Sequence, residues 1–388
     1  MKFRVERDAL ADAVTWAARS LASRPTLPVL AGLLLRVDGD QLTVSGFDLE
    51  ASTEVELDVT AGASGQALVS GRLLADITRA LPPHPVDVLL DGSRLTIQCG
   101  SARFTLPGMP VDDYPKLPAM PSTAGTVDGA EFAGAVAQVA IAAGRDDTLP
   151  MLTGVRLEID GDRLTLAATD RYRLAVRELG WKPTDTSASG SNAVLVPARA
   201  LSEAARSLSH SESLTIALSG GAATGSAGEG IIGFSGTTNG HPSRATTRLL
   251  DATFPAYRSL LPSEWASTAE VEVAPLVEAV KRVALVADRN APVRLEFTAD
   301  SVALTAGGDD EGRAEEQLEV SYDGEPITTA FNPQFLLDGL GALVAPTARM
   351  LFTSSTKPVV LRPLSGGEGG DAENADYTYL IMPVRLPG

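Results

Sequence analysis

Residues 35–44 read LRVDGDQLTV, and residues 157–166 read LEIDGDRLTL, so the same ten-residue pattern returns after 122 residues. A weaker third copy, LEFTADSVAL, occupies residues 295–304. Each copy alternates apolar and polar residues on both sides of a short polar turn, which predicts a β-hairpin. Repeats of this length indicate duplicated domains, because solenoid repeats recur about every 20 to 50 residues.

A second motif follows each hairpin in the same order. It reads ALVSGRLL at residues 67–74, VLVPARAL at 194–201 and AFNPQFL at 330–336. A chain of 388 residues has room for about two to four domains of ordinary size, each with its own core. We therefore predict three similar domains, at residues 1–120, 126–262 and 268–388.

Within each copy the coarse order is a helix, a hairpin or meander, a second helix and further strands. Apolar residues at helical spacing predict the helices. They are expected near residues 8–19, 72–81, 131–143, 198–208, 275–287 and 333–343. Alternating segments such as 86–90 and 214–218 predict half-buried antiparallel strands. Each domain is therefore predicted to be α+β, with two helices packed on antiparallel sheet.

Composition restricts the class of protein. The chain is 44% apolar but has no apolar run near the length of about 18 residues that a membrane span needs, so a soluble protein without a membrane partner is predicted. The start, MKFRVER, lacks the apolar core of a signal peptide. Cys99 is the only cysteine, which excludes an internal disulfide and suits a reducing cytoplasm.

Basic residues recur at two-turn spacing on the predicted helices. Arg72 and Arg79, Arg199 and Arg206, and Arg282 and Arg289 are each seven apart and so share a helix face. Any solvated helix face can carry such residues. Their recurrence at matching positions, in a chain with a formal net charge of −17, instead favours a basic face reserved for nucleic acid. Such a face would contact phosphates without reading sequence.

No catalytic or cofactor motif is present. His84, His210 and His241 are scattered and have neither metal-ligand nor triad spacing. Residues 228–233 match G-x-G-x-x-G, but they lead into a predicted strand rather than a helix, so nucleotide binding is not predicted. The segments 220–230 and 366–374 are predicted insertions at hairpin tips, with no role assigned. An enzyme or substrate-binding protein built from triplicated domains remains the alternative.

Five passages then carry a resemblance to a known family. They are MKFRVER at residues 1–7, RPTLPVL at 24–30, ATDRYRLAV at 168–176, FPAYR at 254–258 and YLIMPVRL at 379–386. With them the chain resembles the beta subunit of bacterial DNA polymerase III, in its actinobacterial form. The resemblance implies three clamp domains and a head-to-tail homodimer whose six domains form a ring around duplex DNA. Its function would be processivity without catalysis. A specialised second copy, for instance an inhibitor-resistant one, stays open.

The resemblance also implies a pocket for short peptide motifs of the replicative polymerase, the clamp loader and repair proteins. Apolar residues from three segments would form it if those segments converge. The expected pocket residues are Leu152, Thr169, Arg171, Tyr172, Arg173, Leu174, Pro255, Ser259, Leu260, Leu380, Met382, Pro383, Val384, Arg385 and Leu386. Two of these depart from the family pattern, since some relatives have Gly at position 171 and Arg at position 259.

Two further sets of residues complete the expectations. Helix spacing and the resemblance together assign eight DNA-binding residues, which are Arg24, Arg72, Arg79, Arg145, Arg199, Arg206, Lys281 and Arg282. The ring that the resemblance implies would join the first domain of one subunit to the third domain of the other, and opposite charges support this, since Arg103 would face an acidic run. That run could equally be an ordinary solvated loop. The expected interface residues are Arg103, Leu106, Leu285, Glu315 and Glu316. No metal or other cofactor is expected.

Overall fold

The computed structural model describes residues 1–22, 24–184, 192–219, 230–287, 291–308, 312–364 and 376–385. Arg289, the acidic run 309–311, Leu386 and nearly all of the two predicted loop insertions lie outside these ranges. The described chain clusters into two compact units. The first comprises residues 1–134, 159–162 and 180–251, and the second comprises residues 135–158, 163–179 and 252–388.

The described residues form six α-helices, close to the predicted positions. They are α1 (Arg7–Ala17), α2 (Gly71–Ala80), α3 (Gly129–Ala140), α4 (Ala198–Ser207), α5 (Val273–Val283) and α6 (Pro333–Ala342). Short 3₁₀ turns, Ala18–Ser20 and Ala284–Val286, follow α1 and α5. The helix predictions are confirmed, with ends that differ by a few residues.

Apart from β15, the strands of the first unit form one antiparallel sheet whose order is β14-β10-β16-β17-β18-β4-β3-β2-β6-β9-β8-β7-β1-β5. Their bounds are β1 (Lys2–Val5), β2 (Gly32–Asp38), β3 (Gln41–Phe47), β4 (Ala51–Asp58), β5 (Thr60–Ala63), β6 (Gly65–Ser70), β7 (Val86–Asp91), β8 (Arg94–Cys99), β9 (Ala102–Met109), β10 (Ser122–Val127), β14 (Lys182–Pro183), β16 (Leu214–Leu218), β17 (Ile231–Thr238) and β18 (His241–Arg248). Strand β15 (Asn192–Pro197) precedes α4 in this unit. The predicted hairpin of the first copy is β2-β3, in which Leu35 pairs with Val44.

Helices α1 and α2 pack together over this sheet, and α1 also contacts β4. The close approach depends on Gly46, because a Cβ there would lie 2.4 Å from the carbonyl oxygen of Ala17. Arg7 fixes the other end of the pair, since its Nε and Nη2 each donate to the carbonyl oxygen of Leu81 at 3.0 Å, just past α2. Fully buried Val14, Leu33 and similar residues fill the space between helices and sheet.

The second unit holds two antiparallel arrangements of strands. One runs β11-β12-β13-β27-β26-β25-β19-β23, and a four-stranded sheet runs β22-β21-β20-β24. Their bounds are β11 (Gly154–Asp160), β12 (Arg163–Thr169), β13 (Arg173–Gly180), β19 (Ser267–Glu272), β20 (Val293–Phe297), β21 (Ser301–Gly308), β22 (Gly312–Glu319), β23 (Ser321–Asp323), β24 (Ile327–Phe331), β25 (Thr347–Phe352), β26 (Val359–Leu364) and β27 (Tyr377–Ile381). Mostly antiparallel sheet with few helices confirms the predicted α+β class.

Helices α5 and α6 pack on each other, and α5 also contacts β21 and β22. Aromatic side chains dominate this core, with the rings of Phe297 and Phe352 5.1 Å apart and both fully buried. Gly339 on α6 leaves room for the Tyr379 ring, which would lie 2.3 Å from an added Cβ. No helix in the described ranges is long and apolar enough to cross a membrane.

Candidate functional site

The second helices of the first two copies carry basic residues at equivalent positions, and that of the third copy does not. The second residue is Arg72 in α2 and Arg199 in α4, and both side chains are exposed. In α6 the same position holds Gln334. Arg72 makes only a long hydrogen bond of 3.4 Å to the carbonyl oxygen of Ala22, and no described carboxylate lies within ion-pair distance of Arg72 or Arg199.

The N-terminal ends of the second helices also distinguish α6 from α2 and α4. No side chain caps the N-terminus of α2 or of α4. In α6 the Asn332 side chain accepts hydrogen bonds from the backbone N–H groups of Gln334 and Phe335, at 2.9 and 3.2 Å. An uncapped helix start has N–H groups without helical partners and a partial positive charge, which favour anions. Among the three second helices, the two with arginine at the second residue are therefore the two whose starts are not capped by a side chain.

The ninth residue of α2 and of α4 is also arginine, and each of these arginines forms an ion pair. Nη2 of Arg79 lies 2.6 Å from Oδ1 of Asp76, and Nη2 of Arg206 lies 2.7 Å from Oε1 of Glu203. Both carboxylates belong to the sixth residue of their helix. In α6 the sixth residue is Asp338. Helices α2 and α4 thus each carry one arginine without a described carboxylate partner and one arginine in an ion pair.

The other predicted DNA-binding residues lie in different settings. Arg24 is exposed in the first unit, whereas Arg145 lines a cleft in the second unit. Lys281 pairs with Glu278 on the same helix at 2.8 Å. Arg282 donates two hydrogen bonds to Glu316, at 2.5 and 3.0 Å, and this contact lowers the pKa of the Glu316 carboxyl.

The cleft in the second unit has a volume of about 610 Å³ and gathers four of the predicted pocket residues, Leu152, Arg171, Tyr172 and Arg173. Their positions follow from the tight turn between β12 and β13. The Asp170 carboxylate accepts the backbone N–H groups of Tyr172 and Arg173, at 3.0 and 3.1 Å, and Thr169 Oγ1 donates to the Arg173 carbonyl at 2.6 Å. Arg171 takes φ of 80° in this turn, a conformation that favours glycine.

Arg173 forms the buried centre of this region. Its side chain is 8% exposed, and it pairs with Asp170 at 2.9 Å and with Asp338 of α6 at 2.5 Å. The guanidinium also lies 4.4 Å from the centre of the Phe335 ring. Burial alone would lower the pKa of Arg173, but the hydrogen bond to Asp338 and the neighbouring groups raise it overall, so the charge is retained. Two carboxylates and one ring thus fix its position.

The C-terminal segment runs beside this turn. Strands β13 and β27 pair with Leu174 opposite Leu380, and the Met382 N–H then donates to the Tyr172 carbonyl at 2.8 Å. The Val384 N–H donates to the carbonyl of Ala330 at 2.8 Å. Tyr172 is 55% exposed, and Met382 and Val384 are each 37% exposed. An apolar surface on the second unit therefore borders the Arg173 network.

Several predicted pocket residues have a different placement. Thr169, Leu174 and Leu380 are buried and do not line the cleft, and strand pairing places Leu174 opposite Leu380 in the core. Leu152, at the end of a 3₁₀ turn, is also buried but still lines the cleft. Pro383 is half-buried and Arg385 is exposed. Pro255, Ser259 and Leu260 do not line the cleft.

The segment that carries Pro255, Ser259 and Leu260 is held by a buried carboxylate. Glu158 on β11, 7% exposed, accepts hydrogen bonds from Arg156 Nε at 2.5 Å, from Tyr257 Oη at 3.2 Å and from Arg258 Nη2. Burial alone would raise the pKa of Glu158, but the hydrogen bonds from Arg258 and Arg156 hold it below the ordinary 4.5. Leu260 is left 49% exposed at the end of this anchored segment.

The predicted interface residues divide between two strand edges. Residues 102–107 of β9 pair with β8 alone among the described strands, because β6 reaches only Gly108 and Met109. Strand β22, which carries Glu315 and Glu316, is the outer strand of the four-stranded sheet. Arg103 and Leu285 are exposed.

Two of the expected interface residues have settings that the sequence did not indicate. Leu106 is 1% exposed within the chain, because it pairs with Leu95 on the core face of the sheet. Phe104, on the same face, is 36% exposed and is the apolar residue available there. Glu316 is engaged by Arg282 within the chain, so these two residues, predicted for different surfaces, form one ion pair.

Sequence reasoning missed the acidic and aromatic members of the site. Asp76, Glu203 and Asp338 share the sixth position of their helices, so the repeat itself carries a signal for the acidic members. Phe335 has no signal of its own in the sequence, since it meets Tyr172 only through the folded sheet, with ring centres 6.2 Å apart. No group of three or more His, Cys, Asp or Glu side chains in the described ranges is arranged to hold a metal ion.

Three α+β copies, two of which carry basic residues on their second helices, define a protein of the DNA-clamp class. The N-terminal, central and C-terminal domains of the DNA polymerase III beta subunit match residues 1–118, 126–256 and 258–385. The chain belongs to the DNA polymerase III beta subunit family. It is a sliding clamp, a non-catalytic accessory subunit that confers processivity on a DNA polymerase.

Individual relatives agree over their whole length. The chain is 55% identical over 389 residues to the beta sliding clamp of Streptomyces coelicolor and 46% identical over 388 residues to the beta sliding clamp homolog GriR of Streptomyces muensis, with 100% of both chains covered in each case. Its structure is similar to the griselimycin-bound sliding clamp of Pseudomonas aeruginosa, at 27% identity and a TM-score of 0.88, with 100% of both chains covered. These identities support the actinobacterial type.

Proposed function

We propose that two copies of the chain join head to tail and close a ring of six domains around duplex DNA. The domains would span residues 1–120, 126–262 and 268–388. Two open strand edges support this assembly, at residues 102–107 and at β22, because an unpaired edge can add a strand from another chain. The edges differ in sequence and charge, which suits a heterologous contact that closes after two copies.

DNA contact is assigned to the exposed arginines of the second helices. The observation that carries it is the twofold recurrence of an uncapped helix start with arginine at the second residue, Arg72 and Arg199, which the third helix lacks. Phosphates fit both the orphan N–H groups and the guanidinium. Weaker contacts would come from Arg24, Arg79, Arg145, Arg206, Lys281 and Arg282. Because the net charge is −17, attraction would be confined to these residues.

Topological retention on DNA tests the ring. Protein loaded by its own clamp loader onto a nicked circular plasmid should remain bound through gel filtration, because a closed ring leaves DNA only at an end. Linearising the plasmid should release most of it, and blocking both ends of the linear DNA should restore retention. Equal retention on open linear and circular DNA would contradict the proposal.

A second surface, on the second unit, is proposed to bind short peptide motifs. Tyr172, Met382 and Val384 present apolar side chains there, and Phe335 and the buried Arg173 support them. Leu260 is a further exposed apolar residue from the anchored segment. The flexible thioether of Met382 can adapt to different side chains, which suits a surface with several ligands. The replicative polymerase, the clamp loader and repair proteins are the proposed partners, in the cytoplasm.

Replacing Met382 and Val384 with alanine should weaken binding of a polymerase-derived motif peptide. Truncation of central apolar contacts costs about 2 kcal/mol or more, which is about 30-fold in Kd. Fluorescence polarisation with a labelled peptide measures the change in affinity. Val344→Ala, which removes an apolar side chain that is 87% exposed just after the end of α6, is the control. Unchanged affinity in the double variant would exclude these residues from the surface.

A specialised second copy of the clamp is the other candidate function. The observation behind this candidate is the full-length similarity to the clamp homolog GriR, at 46% identity. Identity to the Streptomyces coelicolor clamp is higher, at 55%. Griselimycin occupies the related Pseudomonas aeruginosa clamp. The affinities of griselimycin and of the polymerase peptide should be measured for this chain and for the Streptomyces coelicolor clamp. If this chain binds the peptide equally well but griselimycin much more weakly, it is the specialised copy.

A further inference from the structure

The paired arginines of α2 and α4 form the same arrangement twice. In each helix a carboxylate at the sixth residue holds the arginine at the ninth, with N to O distances of 2.6 Å for Asp76–Arg79 and 2.7 Å for Glu203–Arg206. Aligned by position, the two ten-residue helices share only three identical residues, which are the two arginines and Leu74 with its counterpart Leu201. The charge pattern therefore recurs where most of the helix sequence has diverged.

The third copy shows what happens to the carboxylate when the arginine is missing. In α6 the ninth residue is Gly341, and the sixth residue, Asp338, contacts Arg173 at 2.5 Å and Gln334 at 2.7 Å instead. The carboxylate at this position is thus matched to an arginine in all three copies. In α2 and α4 that arginine is one of the proposed DNA contacts.

Pairing changes what a phosphate meets at these helices. A carboxylate at hydrogen-bond distance occupies one guanidinium nitrogen and cancels much of its charge. The pairs are solvent-exposed, with side-chain exposures of 60% and 70% for Arg79 and Asp76 and of 66% and 39% for Arg206 and Glu203. Exposed pairs are weak, so a phosphate can replace the carboxylate. Each helix therefore offers one open arginine, Arg72 or Arg199, and one shielded arginine.

We propose that Asp76 and Glu203 limit the affinity of the ring for DNA and so keep it mobile. The inference rests on the proposed DNA contact of α2 and α4. To move along the duplex, an arginine must leave one phosphate before it reaches the next. Asp76 and Glu203 supply an alternative partner at that moment, so release does not leave an uncompensated charge. Partial neutralisation also lowers the total number of counterions that binding displaces.

The test compares Asp76→Asn/Glu203→Gln with the unmodified protein as the intact dimer. Equilibrium binding to a short, fluorescein-labelled linear duplex, which can thread into a ring through its end, is measured by anisotropy over a series of salt concentrations. The variant should bind several-fold more tightly at low salt. Its log K against log salt should steepen by about 0.9 for each additional phosphate that is contacted. Sliding on long linear DNA, followed by single-molecule imaging, should slow.

Two controls make the outcomes distinct. Asp160→Asn/Asp162→Asn removes the same number of charges from an exposed hairpin turn and should change binding only slightly. Arg79→Ala/Arg206→Ala should weaken binding, and adding it to the carboxylate variant should abolish the gain. If the arginine variant weakens binding but the carboxylate variant matches the hairpin control, the shielding inference is overturned and DNA contact stands. If neither changes binding, the assignment of these helices to DNA falls as well.

Discussion

Arg173→Ala is expected to destabilise the protein by about 3 kcal/mol or more, because removing one partner of a buried ion pair leaves the other charge uncompensated. The Arg173 side chain is 8% exposed, and its partners Asp170 and Asp338 are 14% and 26% exposed. The loss also removes the cation from the face of Phe335. Urea denaturation at a fixed protein concentration measures the change, since dimer stability depends on concentration.

Two further variants show whether the cost comes from the buried charge. Arg163→Ala removes an arginine that is 73% exposed and 3.8 Å from Glu178, and should change stability by less than about 0.5 kcal/mol. The loss of unfolding free energy in Arg173→Ala/Asp338→Asn should be smaller than the sum of the losses in the two single variants, because the second change removes the carboxylate charge that the first leaves without a partner. A cost below about 1 kcal/mol for Arg173→Ala would refute the network as a structural centre.

Glu158→Gln is expected to cost about 2 kcal/mol at neutral pH, since three hydrogen bonds converge on the carboxylate and two come from arginines. The expected loss is smaller than for Arg173 because Arg258, 66% exposed, and Arg156, 31% exposed, can turn to water. The segment that carries Pro255 and Leu260 should loosen with it. Peptide binding should therefore weaken together with stability.

The pH dependence of this effect has a definite sign. Because the folded-state pKa of Glu158 is held below 4.5, its stabilisation is fully present above that value and is lost as the pH falls through the folded pKa. The difference in unfolding free energy between the unmodified protein and Glu158→Gln should therefore shrink in acid. Glu178→Gln, whose carboxylate is 44% exposed, is the matched control. A difference that stays constant from neutral pH to about pH 3 would contradict the assignment.

The internal repeat explains why the helices could be located from the sequence. Copies one and two share hairpin and helix motifs, so two independent segments predict the same elements. The helix ends are not set by this repeat: the helix predicted at 275–287 ends at Val283 and is followed by a 3₁₀ turn, whose apolar residues extend the sequence pattern without α-helical hydrogen bonds. Hydrophobic period alone does not distinguish the two.

The sequence predicts the members of a site only where they lie close together in the chain. Arg72 and Arg79 lie on one helix, so spacing alone groups them. The Arg173 network requires α6 to meet the β12-β13 turn, across 165 residues of chain between Arg173 and Asp338, and no local pattern contains that meeting. Leu106 shows a different limit, because an alternating strand does not say which of its faces turns to the core.

The open edge at residues 102–107 also bears on the life of the unassembled chain. A newly made copy exposes backbone donors and acceptors there and along β22, and such rows can template aggregation. The charged residues of β22, with Arg313, Glu315 and Glu319 exposed, discourage two β22 edges from pairing with each other. In the proposed ring, assembly would cover both edges and so act as a form of solubility control, and any step that opens the subunit contact would return both edges to the risk of misassociation.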